Sequence, residues 1–80
     1  MTLLGPVAGR PGFFDIAMVE HKRTRDAVRV SVAGDERRAM WLPLSQVRVH
    51  TRETNDLILG GGAPVVVTAP EWLARERGLM

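Results

Sequence analysis

The sequence predicts a mainly β, α+β fold: a small antiparallel sheet of five or six strands, curled or barrel-like, with a short C-terminal helix. Three observations predict it. Short stretches alternate apolar and polar residues with the period of a half-buried strand, most clearly Val28, Val30 and Val32 against Arg29 and Ser31. Glycine, proline and polar runs interrupt the chain between these stretches. Only the last segment carries helix start and stop signals. Eighty residues make one domain, 1–80, with a single core and no room for a deep cleft beside it.

Residues 1–12 hold three glycines and two prolines and read as an irregular lead-in, where Leu3, Leu4 and Val7 can add a short edge strand. Phe13 to Glu20 reads as a strand, with Phe14, Ile16 and Met18 on one face. His21 to Asp26 is a polar connection. Ala27 to Ala33 is the clearest strand. Gly34-Asp35-Glu36 reads as a turn, and Arg37 to Leu42 as the returning arm of a hairpin. Its register is open. A two-residue turn puts Ala39 and Trp41 on the valine face, and a three-residue turn puts Met40 and Leu42 there.

Pro43 ends that arm because it has no N–H for a ladder. Leu44 to Gln46 is a tight link. Val47 to Arg52 alternates again, Glu53 to Asp56 is polar, and Leu57 to Leu59 is a short apolar piece before Gly60-Gly61-Gly62. Pro64 to Val67 reads as the last strand. Strands this short need a curled or closed sheet to hide their edges.

The terminal helix is expected over 69–77. Thr68 is placed as N-cap and Glu71 at the third helical position, a capping box. Val67 and Trp72 occupy staple positions, and Glu71 and Arg75 form an i,i+4 pair. Gly78 suits a left-handed C-cap, with Leu79 folding back. A helix this short needs the sheet, so Trp72 and Leu73 are expected to pack on it.

Composition limits the chemistry. The chain has no cysteine, so disulfides, thiolate metal sites and thiol nucleophiles are excluded. The start is not that of a secretory signal, and no apolar run reaches the length of a membrane span. A cytoplasmic location and no membrane partner are the expectations. The net charge of +2 rests almost wholly on arginine, which suits an anionic partner but is small for a dedicated nucleic-acid binder.

No site for chemistry emerges. His21 and His50 are far apart and read as surface residues, so no metal or other cofactor is expected. Ser31 and Ser45 lack a nucleophile elbow. Asp15 and Glu20 differ in strand parity and read as solvated. The Gly60–Gly62 run lacks the Lys-Ser/Thr of a phosphate loop. What remains is a basic face. Arg29 on one strand and Arg48, His50 and Arg52 on another are expected to share the sheet exterior, with Arg37 and Arg38 at the hairpin tip. An aromatic such as Trp41 or Phe13 would complete a recognition surface. Arg29, Arg37, Arg38, Arg48, Arg52 and Trp41 are therefore the candidate partner-binding residues. Thr68, Glu71, Trp72 and Gly78 are structural candidates, and no residue is expected to be catalytic.

Met40-Trp41-Leu42-Pro43-Leu44-Ser45-Gln46-Val47 and Pro70-Glu71-Trp72-Leu73-Ala74-Arg75-Glu76-Arg77-Gly78-Leu79 together resemble segments of small phage and prophage proteins. Those carry a W-[IL]-P-x-S-Q-[IV] strand-turn-strand and a closing E-W-[LF]-A-x-x-[KR]-G-L helix. The resemblance covers the second half of the chain and transfers no site residues. It implies a mobile-element origin and, for a short cysteine-free protein without catalytic groups, an anti-CRISPR-type inhibitor. Such a protein would occupy the surface of a CRISPR effector, a host nucleoprotein complex, using one sheet face or the Gly60–Gly62 loop, as a monomer or homodimer. The alternative is a small basic nucleic-acid-binding module of phage replication or recombination.

Overall fold

The structure is a computed structural model and describes residues 3–53 and 62–79. These residues form a six-stranded antiparallel sheet and one short C-terminal helix. The strands are β1 (Leu3–Pro6), β2 (Phe13–Arg23), β3 (Ala27–Ser31), β4 (Met40–Pro43), β5 (Arg48–Thr51) and β6 (Ala63–Pro70), followed by α1 (Glu71–Glu76). Leu57 to Leu59, Gly60 and Gly61 lie outside the described residues.

The organising element is β2, at 11 residues the longest strand. One of its edges pairs with β6 from Phe13↔Pro70 to Glu20↔Ala63. The other edge is shared in tandem: β1 takes Phe14 to Ile16 and β3 takes Val19 to Arg23. This central position buries both faces of the strand, and Ile16, Ala17, Met18 and Val19 are all buried. The lead-in therefore contains a paired strand, the edge strand that Leu3 and Leu4 suggest.

The order β4-β3-β2-β6-β5 makes β4 and β5 the two edges, although they are consecutive in sequence. Flat, these five strands would separate the edges by about 19 Å at roughly 4.8 Å per spacing. Yet only Leu44–Val47 joins them, and the Gln46 N–H donates to the Pro43 carbonyl at 3.0 Å. A hydrogen-bonded turn brings its ends within about 7 Å. The sheet must curl to bring its edges together. It stays open, because no ladder joins β4 to β5 among the described residues.

The concave side holds the core. Cross-strand rows Val49–Val67–Ile16 and Val65–Met18 point inward, joined by Val28, Val30 and Leu42 from the other wing. Leu73, Ala74 and Leu79 of the C-terminal segment belong to the same cluster and cover it.

Two expectations need correction here. The Gly34 turn is not a tight hairpin. Residues 32–39 make a longer connection containing a 3₁₀ turn at Glu36–Arg38, capped by Asp35, whose carboxylate accepts from the Arg37 N–H at 3.0 Å. Arg37 and Arg38 thus sit on a turn and not on a strand. The register is Val30↔Met40, Arg29↔Trp41, Val28↔Leu42. Met40 and Leu42 share the valine face, and Trp41 faces out.

The helix also starts later than its capping grammar suggests. Thr68 is a strand residue, not an N-cap, because β2 keeps pairing β6 through Phe13↔Pro70. The N-cap is Pro70 and the helix is Glu71–Glu76, shorter than 69–77. Its first amide, of Glu71, donates to the Gly12 carbonyl at 2.7 Å. Glu71 is the first helical residue and pairs Arg75 at 3.0 Å. Val67 is a core strand residue. Trp72 is 55 % exposed and lies outside the core cluster, while Leu73 next to it is buried.

The C-terminus follows its sequence signals. The Leu79 N–H donates to the Ala74 carbonyl and the Gly78 N–H to the Arg75 carbonyl, a Schellman arrangement. Gly78 has φ 72°, and a Cβ there would meet no atom within 4 Å. Gly78→Ala therefore carries only a conformational penalty, expected at about 1 kcal/mol. Urea denaturation measures it as a lower midpoint at unchanged slope.

Candidate functional site

The outward rows carry the polar chemistry. Arg29 and the group Arg48, His50 and Arg52 are not neighbours in the strand ladder. Arg29 lies on β3, and the others on or just after β5, with β2 and β6 between. They form two surfaces, each with its own aromatic.

The first is on β3–β4. Arg29 and Trp41 are direct cross-strand partners, with Lys22 on the other side of Arg29. Trp41 is 42 % exposed. The Arg29 guanidinium is held by Glu36, to the carboxylate through Nη1 and to the backbone carbonyl through Nη2, both at 3.1 Å. The ion pair is half in water and contributes little stability. Its effect is to fix where the cation stands beside the indole. Nearby, Arg37 leans on Asp35 at 3.4 Å, and Arg38 is exposed with no ion-pair partner among the described residues.

The second lies between the loop before β2 and the turn before β5. A groove of about 420 Å³ is lined there by Arg10, Phe13, Ser45, Gln46, Arg48 and Thr68, among others. The Arg10 guanidinium sits over the Phe13 ring, 4.2 Å from its centroid. Gly9 and Gly12, with φ 76° and 82°, fold the loop. It is tied by Val7 N–H to the Phe13 carbonyl, Arg10 N–H to the Val7 carbonyl and Phe13 N–H to the Arg10 carbonyl. Arg48, Thr68 and Asp15 form one outward cross-strand row. The Thr68 hydroxyl donates to Asp15 Oδ1 at 2.5 Å, so Asp15 is tied to a neighbour where the sequence reads it as solvated. Arg48 belongs to the predicted set. Arg10, Ser45 and Gln46 do not, and the signal that marks Arg10 is its position between two turn glycines just before an aromatic strand.

Arg52 donates its backbone N–H to the Pro64 carbonyl at 3.1 Å and is only half-buried. His50 is exposed on β5.

His21 is not a free surface residue. The β2 ladder shifts register between Glu20 and Lys22, and His21 Nε2 lies 2.7 Å from the Ser31 hydroxyl. Ser31 is 1 % exposed and also accepts the Gly34 N–H at 3.0 Å. A hydroxyl so enclosed has no approach for a substrate carbonyl. The pair holds the start of the 32–39 connection against β2. Ser31→Ala strands the buried Gly34 amide and the imidazole, which is expected to cost about 1–3 kcal/mol, read from the urea midpoint. Among the described residues no three of His, Asp or Glu come together as a metal site, and no helix is long and apolar enough to cross a membrane.

The chain matches no protein-family model, no curated protein and no solved structure.

Proposed function

We propose that the protein is a small non-enzymatic binding protein of a phage or mobile element. It acts in the host cytoplasm as an anti-CRISPR-type inhibitor, occupying the surface of a CRISPR effector complex. The strand-turn-strand and closing-helix segments, which resemble those of small phage proteins, support the mobile-element origin. The observation that carries the binding reading is Trp41, exposed on an edge strand beside a guanidinium that Glu36 has already oriented. Tryptophan and arginine dominate binding hot spots, and a side chain fixed before binding loses less entropy on binding.

The test is co-expression with an active CRISPR system, measuring phage plating, together with capture of the purified effector by the tagged protein. Restored plating and a stoichiometric complex are expected. Trp41→Ala should weaken that complex by about 2 kcal/mol or more, the scale of a hot spot, with the fold intact. Undiminished interference and no complex would remove the reading. Undiminished interference together with a DNA mobility shift that falls steeply with salt would replace it with a nucleic-acid-binding accessory module.

A further inference from the structure

We propose that the groove between the 7–13 loop and the 44–47 turn is an oxyanion site that takes the phosphate of a nucleotide. It shares no residue with the Arg29–Trp41 surface and stands whether or not the protein inhibits a CRISPR effector. Two guanidiniums, Arg10 and Arg48, line one groove with no carboxylate among the lining residues. Neither forms an ion pair among the described residues, although Arg23, Arg29, Arg37 and Arg75 all do. The acid on the same row, Asp15, accepts from the Thr68 hydroxyl, lies beyond Thr68 from Arg48 and does not line the groove.

Arg10 is also positioned in advance. Its contact with the Phe13 ring and the hydrogen-bonded 7–13 loop restrict where the guanidinium stands, and its N–H edge suits paired phosphate oxygens. Two cations lining one groove suit the spread charge of a phosphate group better than a lone carboxylate. The volume extends the argument beyond a bare ion. A groove of about 420 Å³ falls within the roughly 300–1,000 Å³ of small-ligand sites. Leu44, Val47 and the Phe13 ring supply an apolar wall, and Ser45 and Gln46 supply polar groups. A sugar and base need that combination, and inorganic phosphate does not.

The test is NMR titration of the full chain at constant ionic strength, following the side-chain Nε signals of Arg10 and Arg48. The probes are inorganic phosphate, adenosine monophosphate and a short oligothymidylate. Both signals are expected to move together, with either nucleotide probe binding more tightly than inorganic phosphate. Tighter binding of the mononucleotide makes the site one for free nucleotides. Tighter binding of the oligonucleotide, falling with salt, makes it one for a strand. Arg10→Gln and Arg48→Gln should each weaken binding roughly tenfold, while Arg25→Gln, at an exposed position between β2 and β3, leaves it unchanged. Thermal midpoints near the parent's establish that the variants fold. The proposal is overturned if the arginine variants bind like the parent. It is equally overturned if inorganic phosphate binds as tightly as the nucleotides.

Discussion

Leu42→Ala is expected to cost about 2–5 kcal/mol of folding free energy, and Trp41→Ala, one residue away, about 1 kcal/mol or less. Leu42 has no exposed surface and lies in the central cluster opposite Val28. Cutting it to alanine removes buried surface and leaves a cavity that a packed interior fills only in part. Trp41 points the other way and is already 42 % exposed. The larger residue is the less costly to lose because the pleat, not size, decides which of two neighbours is inside. For a chain of 80 residues, total stability is on the order of 4–12 kcal/mol, so Leu42→Ala consumes a large share of it. Equal midpoints in urea for the two variants would mean that β4 pairs one residue out of the Val30↔Met40 register.

That register was open in the sequence for a physical reason. Both Trp41 and Leu42 are large and apolar, so the pattern of β4 fits either face. The connection that decides between them is not a standard two- or three-residue turn. The Asp35 cap and the 3₁₀ turn at Glu36–Arg38 set it, and Arg29 holds Glu36 from the preceding strand. Elsewhere, alternation was enough: Val28 and Val30, Ile16 and Met18, and Val47 and Val49 occupy the core or pack against it as their spacing indicates. The site was legible only in pieces. Arg29, Arg48 and Trp41 are exposed or partly so, but strand order divides them, and strand order is not written in any local pattern. Arg10 was lost in the lead-in because its role depends on a loop conformation that two glycines permit and β2 anchors.

Thr68 shows local grammar losing to tertiary pairing. A Thr-x-x-Glu box satisfies two terminal amides of one helix, worth about 1 kcal/mol. Continuing β6 to Pro70 instead gives Thr68, Ala69 and Pro70 partners on β2 at Asp15, Phe14 and Phe13, and buries Ala69 completely. The ladder and the burial outweigh the cap. The shift in helix start also sets the helical phase, turning Leu73 and Ala74 inward and Trp72 outward.

Leu73→Ala is therefore the second large effect, expected at about 2–5 kcal/mol, against about 1 kcal/mol or less for Trp72→Ala. A six-residue helix has almost no stability of its own in water, so its tertiary contacts hold it in place. Leu73 is 1 % exposed and packs with Ala74 and Leu79 on the core. Leu79 reaches the core only through the Schellman turn at Gly78. Loss of Leu73 thus weakens the contact that keeps α1, and with it Leu79, over the sheet. Amide exchange separates this from a simple cavity. If α1 is held through Leu73, the Leu79 and Gly78 amides of the alanine variant should exchange much faster, while the β2–β6 amides slow or quicken only with global stability. A variant whose terminal amides stay protected to the global limit would show α1 to be held by other contacts.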